Sequence, residues 1–264
     1  MKLHNDIAIQ LTNVTKTYTI HHEKPTLVEK FIKGRDEQFI ALNNINLTIK
    51  KGEKVGIIGP NGSGKTTLLK ILSGIASLSD GAIIINGKTV SIISLEAGFY
   101  SDLSGRENVH LNGLFVGMSR SEIIQKKNQI IKYADIGKFI DMPLYTYSQG
   151  MKLRLGFSIA LHANPNIILL DENLGVGDQK FKDKLRNETR LLFNKKSTII
   201  MASHNLYAIV DFCDRIIVLE HGKVVKDGGL DAIKYYDNNF TYEYKPPTKR
   251  RSSLISRQLM QLVK

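Results

Sequence analysis

Cysteine is nearly absent from the sequence, and long apolar segments are missing. Cys213 is the single cysteine in 264 residues, so an internal disulfide is excluded and a reducing, cytoplasmic location is expected. No apolar run approaches the ~18 residues of a membrane-spanning helix. The N-terminus also lacks the charged, apolar and small-residue regions of a secretory signal. These absences predict that any membrane contact goes through the protein surface or through a partner.

The composition shows no bias toward a fibrous or disordered class. Hydrophobic residues make up 42% of the chain and charged residues 23%, which is typical of a globular protein with a sizeable core. The formal net charge is +12, and residues 241–264 carry six basic residues against one acidic residue. We interpret residues 241–264 as a basic tail, either solvated or lying at a membrane surface.

Strand-length apolar segments alternate with helical periods along most of the chain. Strands are predicted at 7–14, 18–20, 39–42, 45–49, 55–58, 167–171, 198–201 and 215–219, with a hairpin at 81–90. Helices are predicted at 65–74, 106–116, 119–134, 148–162 and 181–194, and from Asn205. Strands alternating with helices indicate an α/β core with a mostly parallel sheet. One domain is predicted over 1–240, with a helical insertion at about 101–162 and an exposed insertion at 21–38.

A glycine-rich phosphate-binding motif follows the strand at 55–58. Residues 59–66 read Gly-Pro-Asn-Gly-Ser-Gly-Lys-Thr, which fits the pattern G-x-x-x-x-G-K-[ST] between a strand and a helix. In this motif backbone N–H groups cradle phosphates, the lysine reaches the β- and γ-phosphates, and the threonine hydroxyl binds Mg²⁺. The motif predicts ATP and Mg²⁺ as cofactors. The predicted nucleotide-binding residues are Gly59, Pro60, Asn61, Gly62, Ser63, Gly64, Lys65, Thr66 and Thr67.

Two carboxylates, Asp171 and Glu172, end the apolar strand at 167–171. Carboxylates at a strand end are often only solvated. Next to a phosphate loop, however, Asp171 can hold Mg²⁺ and Glu172 can orient or polarise an attacking water. The phosphate loop favours this interpretation on a topology that can set the two strands side by side.

In this order the motifs resemble the nucleotide-binding subunits of ABC transporters, over roughly residues 7–230. The family signature is represented by Tyr-Ser-Gln-Gly-Met at 147–151, where Ser148 and Gly150 match. The resemblance implies a P-loop NTPase core, an N-terminal antiparallel β subdomain and an inserted α-helical subdomain. It also implies a head-to-tail homodimer in which Ser148, Gly150 and Asp178 act on the nucleotide of the opposite protomer.

The resemblance assigns roles to three further residues. His204 corresponds to the family's switch histidine near the γ-phosphate, and Tyr18 to the aromatic residue that stacks on adenine. The family's glutamine, which links ATP to the membrane partner, is missing between Ser91 and Asp102. Glu96 is the nearest polar substitute, and its carboxylate could bind Mg²⁺ through water.

Several segments are similar to the ATPases that export polysaccharides and teichoic acids. They are Ala-Gly-Phe at 97–99, Leu-Ser-Gly-Arg-Glu-Asn at 103–108, Leu-Gly-Phe-Ser at 155–158 and Val-Gly-Asp at 176–178. The similarity implies a polytopic permease partner, a peripheral position on the cytoplasmic face of the membrane, and a short form without a large C-terminal carbohydrate-binding domain.

Two other classes of protein remain as alternatives. The net charge of +12 also suits an ABC-type ATPase that acts on nucleic acid or ribosomes. Such an ATPase is disfavoured because the chain has one nucleotide domain and no long coiled-coil insertion, so no nucleic acid partner is expected. A non-hydrolysing ATP-binding regulator is disfavoured because Lys65, Asp171, Glu172 and His204 are all present.

Overall fold

The computed structural model describes residues 6–20, 37–92, 95, 97–171, 197–203 and 206–240. Their strands are β1 (Ile7–Ile20), β2 (Glu37–Lys50), β3 (Lys54–Ile58), β4 (Asp80–Ile85), β5 (Thr89–Ser91), β6 (Ile167–Asp171), β7 (Thr198–Ala202), β8 (Arg215–Glu220) and β9 (Lys223–Gly228). Their helices are α1 (Lys65–Leu72), α2 (Gly105–Phe115), α3 (Arg120–Ala134), α4 (Gln149–His162), α5 (Leu206–Phe212) and α6 (Leu230–Phe240). Short 3₁₀ turns at Gly137–Asp141 and Leu144–Thr146 join α3 to α4.

The strands form two sheets. An antiparallel sheet has the order β2-β1-β4, and a six-stranded sheet has the order β5-β6-β7-β3-β8-β9. In the larger sheet β5, β6, β7, β3 and β8 are parallel, and β9 pairs antiparallel with β8. The predicted mostly parallel core, antiparallel β subdomain and inserted helical subdomain are confirmed.

Three strand predictions were wrong. Residues 37–50 form the single strand β2 rather than separate strands at 39–42 and 45–49. Residues 7–20 form one strand rather than two, because irregular pairing near Asn13, whose φ is 51°, bends β1 without ending it. The hairpin predicted at 81–90 does not form. Instead β4 pairs with β1 in the smaller sheet and β5 pairs with β6 in the larger one. Residues 86–88 therefore connect the two sheets.

Layers on both faces bury the larger sheet. Val55 and Ile57 of β3 pack into the core shared with β1, β2 and α1. Ile58 instead packs against α5 and α6. Because strand residues alternate between faces, a strand covered on both sides reads as a continuous apolar run. This packing fixes the end of β3, where the glycine-rich loop begins.

The helical subdomain consists of α2, α3 and α4, and their bounds agree with the prediction to within one residue. Ser104 and Glu107 form a capping box at the start of α2, and Ser119 and Glu122 form one at the start of α3.

Elements β9 and α6 were not predicted. The insertion was predicted at 21–38, but residues 37 and 38 belong to β2. Residues 21–36, the helix predicted at 181–194 and the tail at 241–264 lie outside the described residues, and the domain bounds stay a prediction. No described helix is long and apolar enough to cross a membrane.

Candidate nucleotide-binding site

The glycine-rich loop connects β3 to α1 in a conformation that depends on Gly59 and Gly64. A Cβ at Gly59 would lie 2.1 Å from the carbonyl oxygen of Leu219, and one at Gly64 would lie 2.6 Å from that of Ala41. Gly64 also has a φ of 103°, which side chains disfavour. The loop therefore packs closely against neighbouring backbone on its inner side. Its outer side is open, since Asn61 and Gly62 are exposed.

Lys65 begins α1 with its side chain folded over the loop. Its Nζ donates hydrogen bonds to the carbonyl oxygens of Gly59, at 2.8 Å, and Pro60, at 3.0 Å, and the residue is only 8% exposed. The ammonium is thereby held at the concave side of the loop rather than in solvent. This geometry places a positive charge beside the first turn of α1.

Two further features of the loop fit an anionic ligand. The hydroxyl of Ser63 is buried and makes no hydrogen bond to any described residue. The first turn of α1 contains no acidic residue, and none of the described side chains caps it. Its N–H groups and the positive end of the helix dipole are thus directed at the loop. A hydroxyl, a lysine and open N–H groups form a donor set suited to phosphate oxygens.

Two of the three predicted magnesium ligands, Thr66 and Asp171, lie on elements that the structure describes. Asp171 ends β6 and is 6% exposed, whereas Thr66 is an exposed residue in the first turn of α1. Strands β3 and β6 were expected side by side, but β7 lies between them, and all three are parallel, so their carboxyl ends point the same way. Ile57, Ala202 and Asp171 are aligned in register across the three strands. Two strand spacings, roughly 10 Å, therefore separate the ends of β3 and β6.

The donor set of Thr66 and Asp171 suits Mg²⁺ only together with phosphate oxygens. Among the described residues no group of three or more histidine, cysteine or acidic side chains could hold a metal ion. A hydroxyl and a carboxylate on neighbouring elements leave most of the Mg²⁺ coordination to water and phosphate. That is the usual arrangement for this ion, which retains several waters.

The signature residues lie at the start of α4, on the helical subdomain. Ser148 caps α4 by accepting a hydrogen bond of 3.3 Å from the backbone N–H of Met151. Ser148 is exposed, and the space around Gly150 is open except for the Ser148 hydroxyl, 3.9 Å from where its Cβ would be. The start of α4 can therefore reach a second molecule.

Tyr18 lies near the end of β1, opposite Phe39 of β2. It is 39% exposed, and the Nζ of Lys16 lies 4.8 Å from its ring centroid. A lysine on the ring is a cation–π contact that orients the aromatic side chain.

Of the other predicted site residues, Pro60 is partly buried in the loop and Thr67 is partly buried at the start of α1. Glu96, Glu172, Asp178 and His204 lie outside the described residues and stay predictions.

A groove between the core and the helical subdomain was not predicted. Its volume is about 200 Å³, and its lining includes Ile75, Leu95, Asn112 and Phe115. Phe115 is 60% exposed and Ile75 is 45% exposed, so part of the rim is apolar. The hydroxyl of Ser91, also in the lining, is buried and makes no hydrogen bond to the described residues.

The glycine loop, the capped α4 and the acidic strand end occur in the order found in one family. Residues 42–175 match the family described as "ABC transporter". The chain belongs to the ABC transporter family. The prediction of this family is confirmed.

Proteins similar to the chain include several members of this family. The teichoic acids export ATP-binding protein TagH of Lactococcus lactis is 42% identical over 84% of this chain and 48% of its own length. TagH of Levilactobacillus brevis is 36% identical over 97% of this chain and 71% of its own length. The O-antigen export system ATP-binding protein RfbB of Klebsiella pneumoniae is 35% identical over 85% of this chain and 95% of its own length. The chain thus spans about half of some relatives and nearly all of others.

Solved structures of ABC cassettes share the fold. The post-hydrolysis dimer of the ATP-binding cassette MJ0796 bound to ADP and Pi is 28% identical, with a TM-score of 0.62 over 84% of this chain and 98% of MJ0796. An ATP-binding subunit of an ABC transporter matches with a TM-score of 0.65 over 97% of this chain, at 20% identity. At that lower identity only the fold is compared.

Proposed function

We propose that this chain is the ATP-hydrolysing subunit of an exporter that moves a lipid-linked cell-surface polymer, such as a teichoic acid or another polysaccharide, through a partner permease. The observation that carries the proposal is the glycine loop with Lys65 folded over it, in a family member whose relatives are named for teichoic acid and O-antigen export. The chain would act at the cytoplasmic face of the membrane.

Each protomer would supply most of the groups for one nucleotide. Lys65 and the N–H groups of the loop would bind the phosphates of ATP, and Tyr18 would stack on adenine. Thr66 and Asp171 would hold Mg²⁺, which neutralises charge on the phosphates when bound, with Glu96 as a further ligand through water. Glu172 would orient the attacking water and accept its proton on a carboxylate oxygen, and His204 would contact the γ-phosphate.

The opposite protomer would complete the site. Ser148 and Gly150 at the start of α4, together with Asp178, would bind the γ-phosphate held by the other copy. The outward exposure of Ser148 and the dimeric form of the related MJ0796 cassette support a head-to-tail homodimer. Closure of the two copies around ATP would move the permease, and hydrolysis would reset the pair.

We propose that the groove beside α2 receives a helix of the permease. A partly apolar rim above the buried Ser91 hydroxyl suits an amphipathic helix that carries a polar group. Phe115 is the largest exposed residue at this rim, and burial of a phenylalanine contributes about 1.5–3 kcal/mol. The partner is expected to bury this ring.

A Phe115→Ser variant is expected to lose at least about tenfold of its affinity for the permease, because the buried ring would be removed. ATP affinity is expected to be unchanged, since the loop at 59–64 is not altered. The measurement is the amount of membrane protein that co-purifies with tagged protein from native membranes in mild detergent. Ile124→Ser is the matched control, because Ile124 is 71% exposed on α3 and does not line the groove.

The proposed function is tested by the same purification with wild-type protein, followed by identification of whatever binds. Recovery of a polytopic membrane protein whose presence stimulates ATP hydrolysis would support the exporter. Recovery of ribosomes or nucleic acid without a membrane protein would contradict it. In that case the ATP site would stand while the cargo and partner would be wrong.

A further inference from the structure

Two buried asparagines of α2 hold the segment that follows Glu96. The Nδ2 of Asn112 donates a hydrogen bond of 2.7 Å to the carbonyl oxygen of Ala97. Asn108 makes four bonds: its Oδ1 accepts from the N–H of Tyr100 at 2.8 Å, and its Nδ2 approaches the carbonyl oxygens of Tyr100, Leu103 and Ser104 at 2.9 to 3.1 Å. Asn108 is 0% exposed and Asn112 is 2% exposed. Segment 97–104 is therefore fastened to α2 along its length.

Close packing holds the same segment at its start. A Cβ at Gly156 of α4 would lie 2.6 Å from the carbonyl oxygen of Leu95, so α4 approaches the backbone there directly. Gly98 has a φ of 84°, and a Cβ on it would lie 2.9 Å from the ring of Phe115. The residues on either side of Glu96 are thus packed between α4 and α2.

The far end of the segment is paired with the chain that leads into Ser148. The N–H of Tyr145 donates to the carbonyl oxygen of Ser101, and the N–H of Leu144 to that of Leu103, both at 3.0 Å. The N–H of Gly105 donates to the carbonyl oxygen of Met142 at 3.2 Å. The carbonyl of Leu103 therefore accepts from both Leu144 and Asn108.

Tyr147 extends this pairing to the residue before Ser148. Its hydroxyl donates to the carbonyl oxygen of Phe139 at 2.5 Å, and the space beside it is available only because residue 105 is glycine. Burial raises the pKa of Tyr147 to about 12, so the phenol remains a donor at neutral pH. Tyr147 fixes the direction from which the chain enters α4.

We propose that Asn108 and Asn112 are positioning residues that make the groove, the segment after Glu96 and the start of α4 move together. Asn112, Ala97 and Phe115 all line the groove, so a helix seated there would press on both ends of the Asn112 bond. A shift of Ala97 would move segment 97–104. Because this segment is bonded to Leu144 and Tyr145, the shift would also move Ser148. The link itself is a property of the single chain, whereas its use in transport rests on the proposed function.

The Asn112→Ala variant breaks this link at one bond and leaves the four bonds of Asn108 in place. Asn86→Ala is a matched control, because the partly buried Asn86 also donates one Nδ2 bond, of 2.9 Å, to a backbone carbonyl, that of Ile7. Asn86 lies in the connection between the two sheets and does not itself line the groove. A general loss of stability would affect both variants alike.

The test measures amide hydrogen exchange at Leu144 and Tyr145 in the full-length monomer without nucleotide. Asn112→Ala is expected to accelerate exchange there at least about fivefold, since loosening segment 97–104 weakens the bonds to Ser101 and Leu103. Asn86→Ala is expected to leave these two amides unchanged. Unchanged exchange in Asn112→Ala, or equal acceleration in both variants, would overturn the proposal.

A second measurement follows ATP-dependent dimerisation in the Glu172→Gln background. Adding Asn112→Ala is expected to weaken dimerisation at least about tenfold with ATP affinity of the monomer within twofold, because Ser148 would be misplaced. Dimerisation equal to that of the Glu172→Gln parent would overturn the link to Ser148. If the Glu172→Gln parent itself does not dimerise with ATP, the proposed function fails, and the exchange result still decides the link.

Discussion

Replacing Lys65 with alanine is expected to abolish measurable ATP binding. Lys65 is the cation that the structure holds at the concave side of the phosphate loop, 2.8 Å from the carbonyl oxygen of Gly59. A hydrogen bond to a charged group contributes about 1.5–3 kcal/mol, and the ammonium can donate more than one to the phosphates. The expected loss of affinity is at least about a hundredfold, measured by titration with a fluorescent ATP analogue.

Lys70→Ala is the control for this prediction. Lys70 is an exposed residue in the last turn of the same helix, so its loss removes one positive charge without altering the loop. Lys65→Ala also removes the donor to two loop carbonyls, which could destabilise the fold. Thermal unfolding of both variants is therefore measured, so that a loss of ATP binding is distinguished from a loss of folded protein. A folded Lys65→Ala protein that binds ATP within tenfold of the wild type would contradict the assignment of the site.

Replacing Glu172 with glutamine is expected to reduce the turnover of ATP at least about a hundredfold, within the usual effect of removing a catalytic base. The amide is close in size to the carboxylate but cannot accept the proton of the attacking water. ATP binding is retained, since Lys65 and the loop are intact. The protein is therefore expected to accumulate as an ATP-bound dimer, measured by size-exclusion chromatography with Mg-ATP.

A second substitution distinguishes the proposed dimer from aggregation. Ser148→Glu in the Glu172→Gln background places a negative charge at the exposed start of α4, where the phosphate of the other copy would bind. Repulsion between the two anions is expected to prevent ATP-dependent dimerisation while leaving ATP bound to the monomer.

Turnover in Glu172→Gln equal to that of the wild type would contradict the catalytic role of Glu172.

Local sequence patterns predicted the elements well but not how distant strands pair. The helices α2, α3 and α4 follow from apolar periodicity and from serine caps such as Ser104, signals contained within a few residues. The hairpin predicted at 81–90 failed because the partners of β4 and β5 lie far away in the chain, in β1 and β6. The position of β7 between β3 and β6 was likewise set by contacts that no local pattern records.

The candidate site divides in the same way. Gly59, Gly64 and Lys65 were predictable because the loop motif is contiguous and its neighbours are a strand and a helix. Asn108 and Asn112 were not predicted as functional, since an asparagine in a helix does not indicate which carbonyl it will meet. Their spacing did indicate that the two side chains lie on the same side of the helix. Two amides four residues apart share one helix face, which here also carries the buried Val109.

The most direct test of the central claim is the amount of surface polymer in cells whose only copy of the gene carries Lys65→Ala. The account predicts that polymer disappears from the surface and that its lipid-linked form accumulates inside the cell. Cells with Lys70→Ala are predicted to resemble the wild type. Surface polymer at the wild-type level in cells whose Lys65→Ala protein binds no ATP would contradict the claim that this chain powers export.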